Sequence, residues 1–185
     1  MLRIFDFIFS FFGLILFGPL LSTIYFIGLF DTGSPIFRQE RVGRDQRPFK
    51  LVKFRTMRLE TPSVASHLAN ASAITKLGGF LRRSKLDELP QLWNVLWGEM
   101  SLVGPRPCLF NQTDLIIERK LLDVFRARPG ITGLAQVNKI DMSTPKLLAE
   151  TDARMLKDMT IYTYLKYILM TFGGWGSGDA VNKNS

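Results

Sequence analysis

The feature that most restricts the fold of this chain is the run from Ile4 to Phe30, which is almost wholly apolar and broken by Asp6, Ser10, Gly13, the pair Gly18-Pro19 and Ser22-Thr23. Such a stretch belongs in or on a membrane. As a straight helix it would extend roughly 40 Å against a hydrocarbon core of about 30 Å, so its length permits a tilted span. Pro19 removes a helical hydrogen bond, and Gly18 beside it adds flexibility. Arg3 precedes the run, while Arg38, Arg41, Arg44, Arg47, Lys50 and Lys53 follow it. If positive charge marks the cytoplasmic side, both ends lie on one face. A helix–break–helix that enters one leaflet and returns satisfies this pattern, provided the bent backbone finds hydrogen-bond partners. A cleaved signal peptide fits poorly, because Asp6 interrupts a run that is too long and no small-residue cleavage site follows. Asp6, three residues after Arg3, reads as half of a structural ion pair on one helix face.

The second informative stretch is Ser84-Lys85-Leu86-Asp87-Glu88-Leu89-Pro90-Gln91-Leu92-Trp93-Asn94-Val95-Leu96-Trp97. Leu86, Leu89, Leu92, Trp93 and Leu96 recur at helical spacing, Ser84 suits an N-cap, and Pro90 is tolerated only near a helix start. Asp87 and Glu88 are therefore expected in or beside a first turn, where the macrodipole favours negative charge. Acidic residues are common in first turns, so the pair alone is weak grounds for a site. Downstream, Gly104-Pro105-Arg106-Pro107 presents Arg106 on a stiff loop with proline on both sides. A second turn, Arg126-Ala127-Arg128-Pro129-Gly130-Ile131-Thr132-Gly133, offers two more arginines, whose planar forks suit phosphate oxygens. Each turn taken alone is an ordinary Pro/Gly sequence.

Taken together, Leu86-Asp87-Glu88-Leu89-Pro90-Gln91, Gly104-Pro105-Arg106-Pro107 and Arg128-Pro129-Gly130-Ile131-Thr132-Gly133 resemble, in order and spacing, the monotopic phosphoglycosyl transferases, a family of bacterial sugar transferases, in their small single-domain form. The likeness extends to Arg3-Ile4-Phe5-Asp6 and to Lys50-Leu51-Val52-Lys53-Phe54-Arg55-Thr56-Met57. It implies a re-entrant anchor and transfer of a sugar 1-phosphate from a UDP-sugar to a polyprenol (undecaprenyl) phosphate. UMP is released and the product primes glycan assembly at the cytoplasmic face of the bacterial inner membrane. By the same resemblance Asp87 is the nucleophile and forms an aspartyl sugar-phosphate, and Glu88 assists as metal ligand or proton acceptor. Mg²⁺ would be held by Asp87 and Glu88. Arg106 and Arg128 would bind phosphates, with Lys53, Arg82, Gln136 and Asp152 as further substrate contacts. The chain departs from the family pattern at Gly18-Pro19, where Ser-Pro is common, at Asn138-Lys139, where Asn-Gly is common, and at Arg154 and Met155, where aromatics are common.

The rest of the chain fits one mostly helical catalytic unit with a small β-hairpin, an α+β arrangement. A length of 185 residues suits one domain. The expected division is 1–30 anchor, 31–172 catalytic domain and 173–185 loose tail. Alternating residues in Ser34 to Met57 around a polar turn read as a hairpin with basic residues on one face, suited to anionic lipid headgroups. Leu59 to Thr75 has weak pattern and reads as a loop or weak helix, with His67 as a surface residue. Lys76 to Arg83 reads as an amphipathic interfacial piece that brings Arg82 beside Asp87. Thr113 to Phe125 and Pro145 to Met159 read as packing helices, and Ile161 to Phe172 as an interfacial or core helix.

The formal charge of +8 calls for a polyanionic partner without choosing among lipid, phosphorylated small molecule and nucleic acid. Nucleic acid is disfavoured, since no recognisable binding motif occurs and many arginines sit in Pro/Gly turns. A membrane-tethered basic scaffold without catalysis is the alternative. Cys108 is the only cysteine and His67 the only histidine, so neither a disulfide nor a zinc site is expected. The sequence leaves the oligomeric state open, a dimer included.

Overall fold

A computed structural model describes residues 2–61 and 71–174 of the chain. His67, most of the weakly patterned stretch before Thr75 and nearly all of the tail lie outside the described residues. The first element is a 31-residue helix, α1 (Leu2–Thr32), the one described helix long and apolar enough to cross a membrane. Its buried positions are Asp6, Ser10, Ile24 and Gly28, while Phe7, Phe12, Ile15, Leu16 and Phe26 are exposed. Polar groups inward and aromatic groups outward reverse the pattern of a soluble amphipathic helix, which marks the outer surface as one for lipid.

Both ends of α1 rest on the same domain. Near its start, Arg3 donates to the Leu96 carbonyl at 3.0 Å and lies 3.7 Å from Asp6, the expected ion pair. Near its end, Ile24 packs with Phe54 and Leu81, and the Asp31 carboxylate accepts from the Thr75 hydroxyl at 2.7 Å. The break expected at Gly18-Pro19 is absent, and the helix runs on through Pro19. The Ser22 and Thr23 hydroxyls bond back to the Gly18 and Pro19 carbonyls at 3.0 and 2.9 Å. Such back-bonding keeps a helical path around a proline and bends it without ending it.

The hairpin pairs β1 (Ile36–Val42) with β2 (Pro48–Phe54) in antiparallel register, Phe37 opposite Lys53 and Arg41 opposite Phe49. Its basic residues do not share one face, as the sequence suggested. With a period of two, Arg38 and Lys50 are exposed, whereas Arg41 and Lys53 turn inward with Phe49 and Leu51. Buried side chains from both faces of the hairpin reach into the core. Phe54 meets α1, Phe49 and Leu51 meet Val95 and Met100, and Val42 packs with Cys108, Leu115 and Leu148.

The remaining helices are α2 (Lys76–Ser84), α3 (Gln91–Trp97), α4 (Thr113–Leu121), α5 (Leu134–Val137), α6 (Pro145–Lys157) and α7 (Ile161–Phe172). Pro145 opens α6 at a position where its missing N–H costs nothing, and a Thr160/Thr163 capping box opens α7. A second sheet, which the sequence did not announce, pairs β3 (Ser101–Val103) with β4 (Gly130–Thr132) in parallel. Each strand has only three residues, too few for an alternating pattern to be read. Its two loops approach so closely that a Cβ on Gly130 would lie 2.0 Å from the Gly104 nitrogen, so glycine there is a packing requirement.

Candidate active site

Asp87 and Glu88 occupy a 3-10 turn, Leu86–Glu88, between α2 and α3. Ser84 is not the N-cap expected from the sequence. It is the last residue of α2, and its hydroxyl donates back to the Phe80 and Leu81 carbonyls at 2.9 and 3.1 Å. The chain reverses instead at Lys85, whose φ of 57° and ψ of 15° are left-handed. Its carbonyl accepts the Glu88 N–H at 3.2 Å, which closes the turn carrying both acids. An L-residue other than glycine or asparagine costs about 1–2 kcal/mol in this conformation. The chain therefore bends the α2–α3 junction sharply around the two carboxylates.

Asn94 locks α3 onto the hairpin. Its side-chain oxygen accepts from the Val52 N–H at 3.0 Å, and its nitrogen donates to the Lys50 carbonyl at 2.8 Å, so an amide side chain pairs with β2 as a neighbouring strand would. This brings the acidic turn against β2. Asp87 and Glu88 are only 2% and 7% exposed, more buried than a boundary site reached from two phases suggests. Beside them lies a small, partly open cleft lined by Arg41, Leu51, Lys53, Gln91, Arg106, Pro107 and Gly130. Arg106 joins the two features. Its guanidinium donates to Glu88 at 2.9 Å while it also lines the cleft.

The Arg106 loop has little hydrogen-bonding capacity of its own, because Pro105 and Pro107 lack N–H groups. Buried arginines satisfy two of its carbonyls. Arg119 donates to the Arg106 carbonyl at 2.8 Å, and Arg41 donates to the Pro107 carbonyl at 3.1 Å. Arg119 also places two hydrogen bonds, at 3.0 and 2.7 Å, on one oxygen of Asp152.

The residues singled out from the sequence thus divide. Lys53 and Arg106 share the cleft, Glu88 is bonded to Arg106, and Asp87 precedes Glu88 in the same buried turn. Arg82 donates to the Thr56 hydroxyl at 2.8 Å, just beyond the end of β2. Arg128 is aimed at the C-terminal end of α3, donating to the Gly98 carbonyl at 2.8 Å. Gln136 is buried, its amide nitrogen 3.5 Å from the Gly104 carbonyl. Asp152 is fully buried in its pair with Arg119. Burial raises its carboxyl above the usual range, and Arg119 opposes that shift.

Arg41, Asn94, Arg119 and Lys85 were not picked out from the sequence. Nothing in their spacing distinguishes them; Lys85 alone stood next to a motif. Burial lowers the Lys85 ammonium below the ordinary lysine value, with Glu88 raising it and Arg106 lowering it further, so three charged groups crowd one turn. Lys139, where the family pattern has glycine, keeps the backbone that glycine would favour, with φ of 59°. Met155 fills space against Gly133, and its sulfur accepts the Leu134 N–H at 3.1 Å.

No group of three or more His, Cys, Asp or Glu side chains is placed to hold a metal ion among the described residues. Two adjacent carboxylates remain. That donor set suits Mg²⁺, which takes one or two carboxylates and fills its octahedron with water and phosphate oxygens.

Residues 1–177 match the family model described as bacterial sugar transferase. The chain belongs to the bacterial sugar transferase family. It is 37% identical over 175 residues to the UDP-galactose-lipid carrier transferase of Erwinia amylovora, covering 84% of this chain and 36% of that one. It is 37% identical over 170 residues to the UDP-glucose:undecaprenyl-phosphate glucose-1-phosphate transferase of Escherichia coli K12, covering 85% and 36%. A transferase of the same description from Caulobacter vibrioides is 38% identical over 168 residues, covering 84% and 62%. The chain thus spans about a third of the length of the first two relatives. Monotopic association with the bacterial inner membrane through one apolar helix is the membrane habit of this family, and α1, with both ends on one domain, conforms to it.

Proposed function

We propose that the protein transfers a sugar 1-phosphate from a UDP-sugar to a polyprenol phosphate at the cytoplasmic face of the membrane. The observation that carries this reading is the Glu88–Arg106 contact at the edge of a cleft that also holds Lys53. It sets one carboxylate of the acidic pair against a cation of the cleft. Phosphoryl transfer asks mainly for an aligned attacking oxygen and neutralisation of equatorial charge, which is what such a grouping supplies.

In the first half-reaction an Asp87 carboxylate oxygen attacks the phosphorus bearing the sugar. An oxygen–phosphorus bond forms there, and the bond to the bridging oxygen breaks, so that the uridine monophosphate leaves with that electron pair. In the second, the polyprenol phosphate oxygen attacks the same phosphorus and Asp87 departs as carboxylate. Lys53 and Arg106 hold the diphosphate, with Arg106 turning part of its fork from Glu88 to phosphate oxygens, and Arg82 is a further contact from α2. Mg²⁺ held by Asp87 and Glu88 would supply additional neutralisation of the diphosphate. Arg128 serves the C-terminal end of α3 and Gln136 the Gly104 loop. The exposed face of α1, with the exposed Trp93 and Trp97 of α3, would set the cleft at headgroup depth, where a soluble donor and a lipid acceptor both have access.

The test is to incubate the purified protein with Mg²⁺, undecaprenyl phosphate and a panel of UDP-sugars and to score UMP. Release with at least one sugar, dependent on Asp87, supports the reading. No UMP with any donor would leave the non-catalytic scaffold in its place.

A further inference from the structure

The geometry points to Arg119 and Asp152 as a buried positioning pair that sets the Arg106 guanidinium by gripping the Arg106 carbonyl, rather than as substrate contacts. Four hydrogen bonds make three links in series. Asp152 Oδ2 accepts from Arg119 Nε and Nη2 at 3.0 and 2.7 Å, Arg119 Nη1 donates to the Arg106 carbonyl at 2.8 Å, and Arg106 Nη2 donates to Glu88 Oε1 at 2.9 Å. The first two members come from α6 and α4, elements separate from the acidic turn.

Two observations separate this role from a substrate contact and from plain stabilisation. Asp152 is 0% exposed and Arg119 2%, so neither presents a surface to the cleft, and neither lines it. The pair is also a poor device for stability. Both hydrogen bonds fall on Oδ2, while Oδ1 is buried without a partner among the described residues. A buried ion pair with an unsatisfied oxygen gains little over apolar side chains of the same volume, so its use is better sought in geometry. The geometric need is specific. With Pro105 and Pro107 unable to donate, the loop cannot brace itself, and donors must reach its carbonyls from outside. Arg119 supplies one such donor and requires Asp152 to hold its charge in the interior.

The inference rests on the reading that Arg106 serves the donor phosphates, and the test separates the two. Asp152→Asn and Arg119→Lys are each made in the wild-type and the Arg106→Ala backgrounds, and kcat/KM for the donor is compared. Lysine keeps the charge opposite Asp152 but cannot hold both Asp152 and the Arg106 carbonyl, so it also covers the case in which Asp152→Asn does not fold. Acting through Arg106, either change lowers kcat/KM by about tenfold in the wild-type background and has little effect once Arg106 is gone. Equal losses in both backgrounds would mean direct contact or general destabilisation, and would overturn the proposal. A second readout needs no activity. The Gly130 and Val42 amides donate to the Pro105 and Cys108 carbonyls at 2.8 and 2.9 Å, so Arg119→Lys should speed their hydrogen exchange while leaving α7 unchanged. Unchanged exchange at both amides refutes the brace even if the transferase reading fails; wild-type inactivity with faster exchange refutes only that reading.

Discussion

Replacing Asp6 by alanine should detach the start of the membrane helix from the rest of the fold, at a cost that follows from its hydrogen bonds. Asp6 Oδ1 accepts from the Ser101 hydroxyl at 2.9 Å, the Leu102 N–H at 2.9 Å and the Tyr164 hydroxyl at 2.7 Å. Burial and the neighbouring carboxylate hold the Tyr164 hydroxyl far above its ordinary pKa, so it remains a donor throughout the working range. In Asp6→Ala, Ser101 can turn to solvent, but the Leu102 N–H and the buried Tyr164 hydroxyl lose their partner. Each orphaned donor costs about 1–3 kcal/mol, so the total is about 2–6 kcal/mol. For a protein of this size, each kcal/mol lowers Tm by about 2–4 °C, so the midpoint should fall by roughly 10 °C. Asp6→Asn keeps an acceptor oxygen and loses only the charge assistance, so it should cost about 1–2 kcal/mol. The assay is thermal unfolding in detergent, followed by the fluorescence of Trp93 and Trp97 beside the helix. An alanine variant as stable as wild type, or an asparagine variant as damaged as alanine, would refute the idea that this carboxylate docks the anchor.

Gly130→Ala forces a Cβ to within 2.0 Å of the Gly104 backbone nitrogen, and it should cost about 3 kcal/mol and most of the activity; a variant with wild-type Tm would contradict the close approach. Lys85 separates strain from charge. Lys85→Gly should raise stability by about 1 kcal/mol by relieving the left-handed backbone, while both Lys85→Gly and Lys85→Met should raise the KM for the donor, and steady-state kinetics beside thermal melts would show it. Cys108 is 0% exposed and burial pushes its thiol upward, so at pH 8 it should resist alkylation in the native protein and react after denaturation. Native labelling at the denatured rate would show that the core around it opens.

What the sequence disclosed, and what it withheld, follows from the range of the interactions involved. The membrane helix, the hairpin and the helices at Pro145 and Ile161 were legible because periodicity and proline position are local signals. The same local reading placed a break at Pro19 and a cap at Ser84, and both failed for one reason: hydroxyls at 22, 23 and 84 bond back to helix carbonyls, which composition cannot distinguish from a break or a cap. The Arg119–Asp152 pair and Asn94 on β2 join residues tens of positions apart, and no pattern at either position announces them. Burial of the acidic pair was equally invisible, since it depends on the turn at Lys85. The motif resemblance grouped Glu88 with Arg106, which the structure pairs at 2.9 Å, but it could not say that Arg128 faces the end of α3 or that Asp152 is sealed in the interior.

The central claim is that Asp87 takes the sugar-phosphate onto itself before the lipid acceptor arrives. Mixing the protein with its UDP-sugar and Mg²⁺, with no polyprenol phosphate present, and counting UMP tests this directly. The account requires a burst of about one UMP per active site in the wild type and none in Asp87→Asn. UMP that forms only when acceptor is added, or a burst that survives the Asp87 substitution, would contradict it.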